Sequence, residues 1–405
     1  MSTEPTAPIG PRGLLLHVGP HKTGTTAIQG ALAAARPALL EHGVVYPGQT
    51  RSQADAARVA SGFASTTGTV LPPRHHWDDL VAEVGAAPGR VVVSSEYLDV
   101  VLPERGREIV AELGRDDVHV VVTAAPLASV MPSSWQQAVR ANLRMGFDDW
   151  LQATFESPSS TGPALFWRRQ RLDDQVRRWS EVVGRDRVHV VVTDKSEPRR
   201  LFDSFEDLLG IPRGVLQAQK SSANRSFTLE EIELVRRVNE RIEARGWSTA
   251  IHARFVRLGA VRQIRGRRPR PDEPRLAMPG WAIERANEVA RDMIAAIAES
   301  GVHVVGSLDT LVTDPASGVE RTADVSSVDI EVAVRAVIGA MRGGGADVLR
   351  EKYATAETVK QYPGVSSAPT ELLQAELERR GVPVTGAART PLGRLGRPTS
   401  RKDRR

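Results

Sequence analysis

Apolar residues in this chain gather in short, nearly continuous runs with polar residues at both ends. Three of these runs are rich in valine and occupy residues 90–94, 118–123 and 188–193, and a leucine-rich run occupies residues 14–18. Near-continuous β-branched runs of this length are typical of strands that are buried on both faces of a parallel sheet. The pattern therefore predicts four central strands.

Helical patterns lie between these strands, at about 103–114, 127–141 and 170–183. Strands that alternate with helices predict a three-layer α/β fold, with a mostly parallel central sheet flanked by helices. Beyond about residue 227 the pattern becomes mostly helical. There we expect three helices, at 228–244, 279–300 and 329–352. We also expect a late edge strand at 302–305. The fold class is thus α/β with a helical C-terminal region.

The same patterns predict how the chain is organised. Residues 1–13 are rich in Pro and Thr, and the last residues interleave Arg with Gly and Pro, which is typical of disordered ends. We expect a disordered N-terminus over 1–13, an α/β domain over 14–315, a helical extension over 316–385 and a basic disordered tail over 386–405.

Composition narrows the class of protein. The chain has 405 residues, of which 41% are apolar, and it has no cysteine. The absence of cysteine excludes disulfides, cysteine nucleophiles and zinc–thiolate sites. No run approaches the roughly eighteen apolar residues that a membrane-spanning helix needs, and the N-terminus carries no apolar signal segment. We therefore expect a cytoplasmic protein without a transmembrane segment.

Basic residues are unevenly placed in a chain whose formal net charge is +5. Eight arginines lie in 254–275, and the tail from Arg389 to Arg405 is again basic. We interpret the first stretch as an arginine-rich surface loop and the second as a disordered tail that is free to contact anionic surfaces. The alternative for both is an electrostatic contact with nucleic acid, anionic lipid or an acidic substrate. Neither stretch has interleaved aromatic residues, so we expect no nucleic-acid partner.

The most informative motif follows the first strand, where Gly19-Pro-His-Lys-Thr-Gly-Thr-Thr26 leads into an Ala/Leu-rich helix. The first turn of a helix has free backbone N–H groups and the positive end of the helix dipole, which together attract anions. Lys22 adds an ammonium group, so the motif predicts a phosphate or sulfate site. The motif differs from a Walker A loop, because Lys22 precedes Gly24 instead of following it.

This order of residues after a strand resembles the sulfate-donor loop of the sulfotransferase family, whose members use 3′-phosphoadenosine 5′-phosphosulfate (PAPS) as donor. The resemblance implies that Lys22 is catalytic and contacts the oxygen that bridges sulfate and phosphate. It also implies that the loop holds the donor through Gly19, Lys22, Thr23, Gly24, Thr25 and Thr26. It implies no metal.

A second signature of that family is an arginine at the end of a later strand, with a serine eight residues on. Both bind the 3′-phosphate of the donor. In this chain Ser133 has the expected place, but the arginine is replaced by Ala125. Substitutes nearby are Arg140, Arg144, Lys220 and Arg225, of which the loop containing Lys220 and Arg225 is the best local candidate.

Sulfuryl transfer also needs a base that removes the proton of the acceptor. Glu96 ranks first, because it ends an apolar strand and should lie in the crevice, where partial burial would raise its pKa. His75 or His76 ranks next, in a loop before a strand, and His21 of the donor loop ranks third. Each of these residues has a plain alternative role in an ion pair, an exposed loop or a phosphate contact.

We therefore expect a sulfotransferase that moves a sulfuryl group from PAPS to a hydroxyl or amine. The acceptor would be a small molecule or a carbohydrate, which the sequence does not identify. One alternative, which Ala125 supports, is a non-catalytic or degenerate relative that binds a nucleotide or another anion. A further alternative is a nucleotide-dependent kinase that uses the same loop for ATP.

Overall fold

In the computed structural model of the protein, the described residues are 7–63, 71–219 and 225–345. The strands are β1 (Leu14–Gly19), β2 (Val44–Val45), β3 (Arg90–Ser94), β4 (Val118–Ala124), β5 (Val188–Val192) and β6 (His303–Val305). The helices are α1 (Thr25–Ala34), α2 (Arg36–Glu41), α3 (Ala54–Ser61), α4 (His75–Ala86), α5 (Pro103–Leu113), α6 (Leu127–Arg140), α7 (Phe147–Glu156), α8 (Thr161–Gln170), α9 (Leu172–Val183), α10 (Arg200–Leu209), α11 (Leu229–Ala244), α12 (Thr249–Ile251), α13 (Val261–Arg265), α14 (Gly280–Ser300) and α15 (Ile330–Gly343).

The six strands form one sheet in the order β2-β3-β1-β4-β5-β6, and every pair is parallel. The four predicted central strands are neighbours in this sheet, and β6 lies at its edge as predicted. The α/β prediction is therefore confirmed. The chain leaves β1 toward β2 and later crosses from β3 to β4 on the other side of β1. Connections that diverge in this way open a crevice at the carboxyl ends of the strands, which is where such sheets bind ligands.

The two faces of the sheet are covered by different helices. Leu14, Leu16 and Val18 pack into the core that includes side chains of α5, α6, α9, α11 and α14. Leu15 points to the opposite face, where α1, α2 and α10 complete a second core. Because strand side chains alternate between faces, a run that is apolar at every position is buried on both. This burial explains the valine-rich pattern.

The arginine-rich stretch differs from the predicted surface loop. Residues up to Arg265 are helical, in α12, a π-helical segment (His252–Ala260) and α13. Beyond them Arg267 is buried and pairs with Glu231 at 2.8 Å and with Glu273. The predicted start of α11 is correct, since the Thr228 hydroxyl and Glu231 form a capping box. A buried arginine is tolerated here because two carboxylates neutralise it.

The N-terminal boundary also needs a correction. The sequence pattern predicts disorder up to residue 13, but Ile9 is buried and its backbone N–H donates to the carbonyl of Leu208. Toward the other end, the chain divides into two compact units, Met1–Ala340 and Met341–Arg405. Most of the predicted helical extension and the whole basic tail lie outside the described residues. Among the residues described, no helix is both long and apolar enough to cross a membrane.

Candidate functional site

The donor loop lies at the carboxyl end of β1, in the middle of the sheet, and its backbone is sharply folded. Gly19 and Gly24 have φ angles of 93° and 100°, and Lys22 has a φ of 73°. At Gly19 a side chain would also come within 3.1 Å of Glu96, so both conformation and space require glycine there. A lysine in the left-handed region is uncommon and such strain clusters at functional sites.

Two of the predicted donor-binding hydroxyls stabilise the loop itself. The Thr23 and Thr25 hydroxyls both donate to the carbonyl of Pro20, at 2.8 and 3.0 Å. Thr23 Oγ1 also lies 2.6 Å from Thr123 Oγ1 at the end of β4. Thr23 is buried below the cleft wall, so its side chain shapes the loop instead of facing a ligand. Within the described chain, no side chain caps α1 and its first turn holds no acid, so the positive helix end stays open.

A cleft of about 550 Å³ opens above this loop. Its wall combines Gly24, Thr25 and Thr26 of the loop and α1 with Ser133 of α6. Five basic side chains line it, against one carboxylate from Glu96: Lys22, Arg51, Arg140, Arg225 and Arg265. Arg225 is paired with the buried Glu231, but the remaining excess of positive charge and the open helix end favour an anionic ligand.

The pKa of Lys22 is strongly perturbed in the cleft. Its side chain faces the open cleft and is exposed, but protein surrounds it on the remaining sides. This partial desolvation lowers its pKa to about 8, and the nearby Arg140 lowers it further while Glu96 acts in the opposite direction. The pKa of Arg140 is itself lowered to about 10, by burial and by the nearby charge of Arg265. Cations that depress one another's pKa values are stabilised by an anion between them.

Glu96 lies in the cleft as predicted, but its pKa shifts in the direction opposite to the expected one. Burial raises its pKa, yet His21, its backbone hydrogen bond and Gln29 together outweigh burial, so that the pKa is lowered. The Gln29 side chain donates to Glu96 Oε2 at 2.9 Å. A carboxylate held in its ionised form by these partners is a weak base, so the expectation of a raised pKa was wrong.

His21 has the partner that a histidine base needs. Its Nδ1 atom lies 2.8 Å from Oδ2 of Asp99, and Asp99 is fully buried. The sequence analysis did not single out Asp99, although a charged residue shortly after an apolar strand was a usable signal. A carboxylate at Nδ1 fixes the tautomer and orientation of the ring and leaves Nε2 for a ligand.

The other histidine candidates lie elsewhere. His75 and His76 begin α4, and the described wall of the cleft does not include them. The preceding Arg74 pairs with Glu112 at the end of α5, at 3.0 Å. Their assignment as a base is therefore not supported by their position.

A second cavity, of about 950 Å³, adjoins the cleft and shares Lys22 and Ser133 with it. Ala125 lines this cavity, so the alanine and the serine of the second signature do face one space. Two basic residues line it as well, Lys195 after β5 and Arg275 before α14, and neither was predicted. Both residues lie far from Ala125 along the chain, so no sequence pattern connects them with it.

The substitutes proposed from the sequence are less suitable. Arg144 pairs with Glu243 at 2.9 Å. Arg225 lines the cleft but makes two bonds to the buried Glu231, at 2.6 and 2.8 Å, so its charge is already neutralised. Lys220 lies outside the described residues. Arg140 remains in the cleft, over the ring of Phe227 at 5.7 Å.

The described residues contain no group of three or more His, Asp or Glu side chains that could hold a metal ion. The site thus consists of a glycine-rich loop, a helix end and cations around two joined cavities. In comparisons of the chain with known proteins, no family model, no curated protein and no solved structure matches it.

Proposed function

We propose that this protein is a sulfotransferase that transfers a sulfuryl group from PAPS to a hydroxyl or amine acceptor. The observation that carries the proposal is the position of Lys22. Its ammonium group faces the cleft between the open N-terminus of α1 and Arg140, in a loop whose order of residues resembles the sulfate-donor loop. In this proposal, these groups stabilise the negative charge that a bound phosphosulfate develops during transfer.

Sulfuryl transfer asks the chain to bind, to stabilise charge and to accept a proton, as phosphoryl transfer does. In this proposal, the backbone N–H groups of Thr25 and Thr26 bind the 5′-phosphate. Lys22 stabilises the charge that forms on the bridging oxygen as the bond to sulfur breaks. Its depressed pKa is consistent with a site that is completed by an anion.

The loss of the family's arginine at Ala125 is compensated, in our proposal, by Lys195 and Arg275. Both line the cavity that Ala125 and Ser133 share. A charge-assisted contact with phosphate contributes about 1.5–3 kcal/mol, so two such residues are sufficient to replace one arginine. The 3′-phosphate of the donor would then bind in this second cavity.

Calorimetric titration tests the proposal against the kinase alternative. Adenosine 3′,5′-bisphosphate, the product that the donor leaves behind, should bind the wild-type protein and bind Lys22→Ala more weakly. ATP with magnesium should bind less tightly than the bisphosphate. Tighter binding of ATP and magnesium would instead favour a kinase and overturn the proposal.

A further inference from the structure

Three histidines from neighbouring strands form a row at the amino end of the sheet, opposite to the end that carries the cleft. They are His119 of β4, His189 of β5 and His303 of β6, and we call them the histidine row. The rings stack, with centroids 5.2 Å apart between His119 and His189 and 5.1 Å apart between His189 and His303. The described walls of the cleft and of the second cavity do not include them, so the proposed transfer leaves the row without a role.

The hydrogen bonds of the row define where its protons lie when the rings are neutral. Nε2 of His119 lies 3.1 Å from Oδ1 of Asp117, and Nδ1 of His119 lies 2.9 Å from Nε2 of His189. The carboxylate accepts the proton of His119 Nε2, so Nδ1 of that ring accepts a hydrogen bond from His189 Nε2. Nδ1 of His189 is then unprotonated, and it is buried without a hydrogen-bond partner in the described part of the chain.

A proton on His189 is strongly disfavoured in this arrangement. The residue is only 3% exposed, and burial lowers its pKa to about 3, with the nearby charges of His119 and His303 acting in the same direction. Asp117 pairs with His119 instead, where it raises the pKa while burial and Arg187 lower it. Within the described chain, His189 forms no ion pair with a carboxylate.

The other elements around the row do not supply a compensating charge. α10 covers this face of the sheet, where Val121 and Val191 belong to the same apolar core as its side chains. The charged residues of α10 pair with arginines or carboxylates near them: Arg200, Asp203, Glu206 and Asp207. Arg185 lies against Gly301 before β6, and Asp309 follows the carboxyl end of that strand. α9 packs on the opposite face, in the other core.

We propose that the histidine row is an acid-sensitive switch that holds β6 on β5 near neutral pH and releases it in acid. β6 is a strand of three residues at the edge of the sheet, and β5 is its only partner there. His189 and His303 lie directly opposite each other in this pair. Positive charges on rings that stack about 5 Å apart repel each other, and release of β6 lets water reach His189. Opening an edge strand costs less free energy than unfolding the whole domain.

The direction and size of the acid response follow from His189. Its pKa is about 3 in the closed state and, once water reaches the ring, close to the ordinary value of about 6.5. Below pH 6.5 the released state therefore binds more protons than the closed state, so acid favours release. Between pH 7.5 and 5.5, this one residue should raise the population of the released state about tenfold.

Release of β6 should also loosen one wall of the second cavity. Only Gly306 and Ser307 separate β6 from the short helical segment Leu308–Leu311, and Thr310 and Thr313 line that cavity. A ligand that binds only when this wall is in place should hold β6 closed. This second part of the inference rests on the proposed function, which places the 3′-phosphate in that cavity.

Hydrogen exchange followed by mass spectrometry tests the switch at pH 7.5 and 5.5, after correction for the intrinsic exchange rates. We expect exchange in β6 to become about tenfold faster at pH 5.5. It should also be faster than exchange in the central strand β3 at both pH values. The acceleration should be lost in His189→Gln and kept in His75→Gln, at an exposed position of α4. No acceleration in β6, or equal rates in β6 and β3, would overturn the inference.

A measurement on the wild type decides the matter if His189→Gln does not fold. In protein with ¹⁵N-labelled histidine, the nitrogen shifts of His189 should report a neutral ring for as long as β6 is protected from exchange. A ring that titrates near pH 6.5 while β6 stays protected would overturn the switch.

A ligand separates this inference from the proposed function. Adenosine 3′,5′-bisphosphate at ten times its Kd should slow exchange in β6 about tenfold at pH 5.5. If calorimetry detects no binding of the bisphosphate, the proposed function fails, and the acid response of β6 alone decides the switch. If the bisphosphate binds and exchange in β6 is unchanged, the link between β6 and the second cavity is overturned.

Discussion

The Nδ1 atom of His21 lies 2.8 Å from Oδ2 of Asp99, a carboxylate that is fully buried beneath the donor loop. The pair joins the loop after β1 to the turn after β3, and these strands are neighbours in the sheet. Arg169 lies 3.7 Å from the other carboxylate oxygen. A histidine oriented in this way by a buried carboxylate is suited to accept a proton through its second ring nitrogen.

The first prediction compares the two candidate bases. With 2-naphthol as a model acceptor that carries one hydroxyl group, His21→Gln should lower kcat for sulfuryl transfer by about 100-fold or more, because general-base catalysis contributes that much. Glu96→Gln should lower it by less than about tenfold, because Glu96 is held as a stable carboxylate by Gln29. Steady-state kinetics of both variants measures which of the two losses of kcat is larger. A larger loss in Glu96→Gln would return the role of base to that residue.

Asp99 should act through His21, as a positioning residue. Asp99→Asn should lower kcat while KM for 2-naphthol and the affinity for adenosine 3′,5′-bisphosphate stay near their wild-type values. In the variant His21→Gln, adding Asp99→Asn should cause little further loss of kcat, because the pair acts as a unit. Independent losses that multiply in the double variant would show that Asp99 has another role.

The pH dependence of donor binding should follow Lys22. Its pKa of about 8 in the free protein means that the ammonium form, which binds an anion, is lost as the pH rises above 8. Affinity for adenosine 3′,5′-bisphosphate should therefore fall by up to about tenfold per pH unit between pH 8 and 9.5. Lys22→Arg keeps its charge in this range and should show a flat profile. A flat wild-type profile would contradict a charged contact from Lys22.

The basic residues of the second cavity should recognise the 3′-phosphate. Replacing Lys195 and Arg275 together by alanine should weaken bisphosphate binding by about tenfold or more and leave binding of 5′-AMP unchanged. Arg144→Ala, at an arginine that pairs with Glu243, is the matched control and should bind both ligands normally. Conversely, Ala125→Arg should tighten bisphosphate binding. Equal losses for both ligands in the double variant would place the 3′-phosphate elsewhere.

Acid should destabilise the fold through the buried histidine of β1. His17 lies between Ser94 and Thr123, and burial lowers its pKa to about 4, with Glu96 acting weakly in the opposite direction. In the unfolded chain its pKa is about 6.5, so between these values the unfolded state binds more protons. The contribution of neutral His17 to the free energy of unfolding is thus complete above about pH 6.5 and is lost as the pH falls toward 4.

This single histidine should lower the free energy of unfolding by about 2 kcal/mol between pH 7 and pH 5. Urea unfolding at pH 7, 6 and 5 measures the effect. His17→Asn should lose that part of the pH dependence, whereas His42→Asn, at an exposed position, should keep it. An identical dependence in His17→Asn and the wild type would show that His17 is not buried as a neutral ring.

The strands and helices of the sheet were predictable because their patterns are local. Val188–Val192 is apolar at every position but one since both faces are covered, and Leu229–Ala244 begins with a capping box that its own sequence encodes. The arginines around Arg267 misled the prediction. Their partners Glu231 and Glu273 approach only in the folded chain, and single-sequence patterns do not report ion pairs between distant segments.

The candidate site also has one part that the sequence could predict and another part that depends on the folded chain. The donor loop is one continuous stretch, so its lysine, glycines and helix start could be recognised together. Asp99 comes from the connection between β3 and β4, whereas Lys195 and Arg275 lie far apart in the long connection between β5 and β6, and only the fold brings them near the loop. The charge state of Glu96 depends on Gln29 and His21, which the sequence did not connect with it.

Binding of adenosine 3′,5′-bisphosphate compared with 5′-AMP tests the central claim most directly, because the two ligands differ only in the 3′-phosphate. Titration calorimetry on the wild-type protein at pH 7 measures both affinities. The proposed donor site predicts that the bisphosphate binds at least about tenfold more tightly, since one charge-assisted phosphate contact is worth about 1.5–3 kcal/mol. Equal affinities, or no binding of either ligand, would contradict a PAPS site in this cleft.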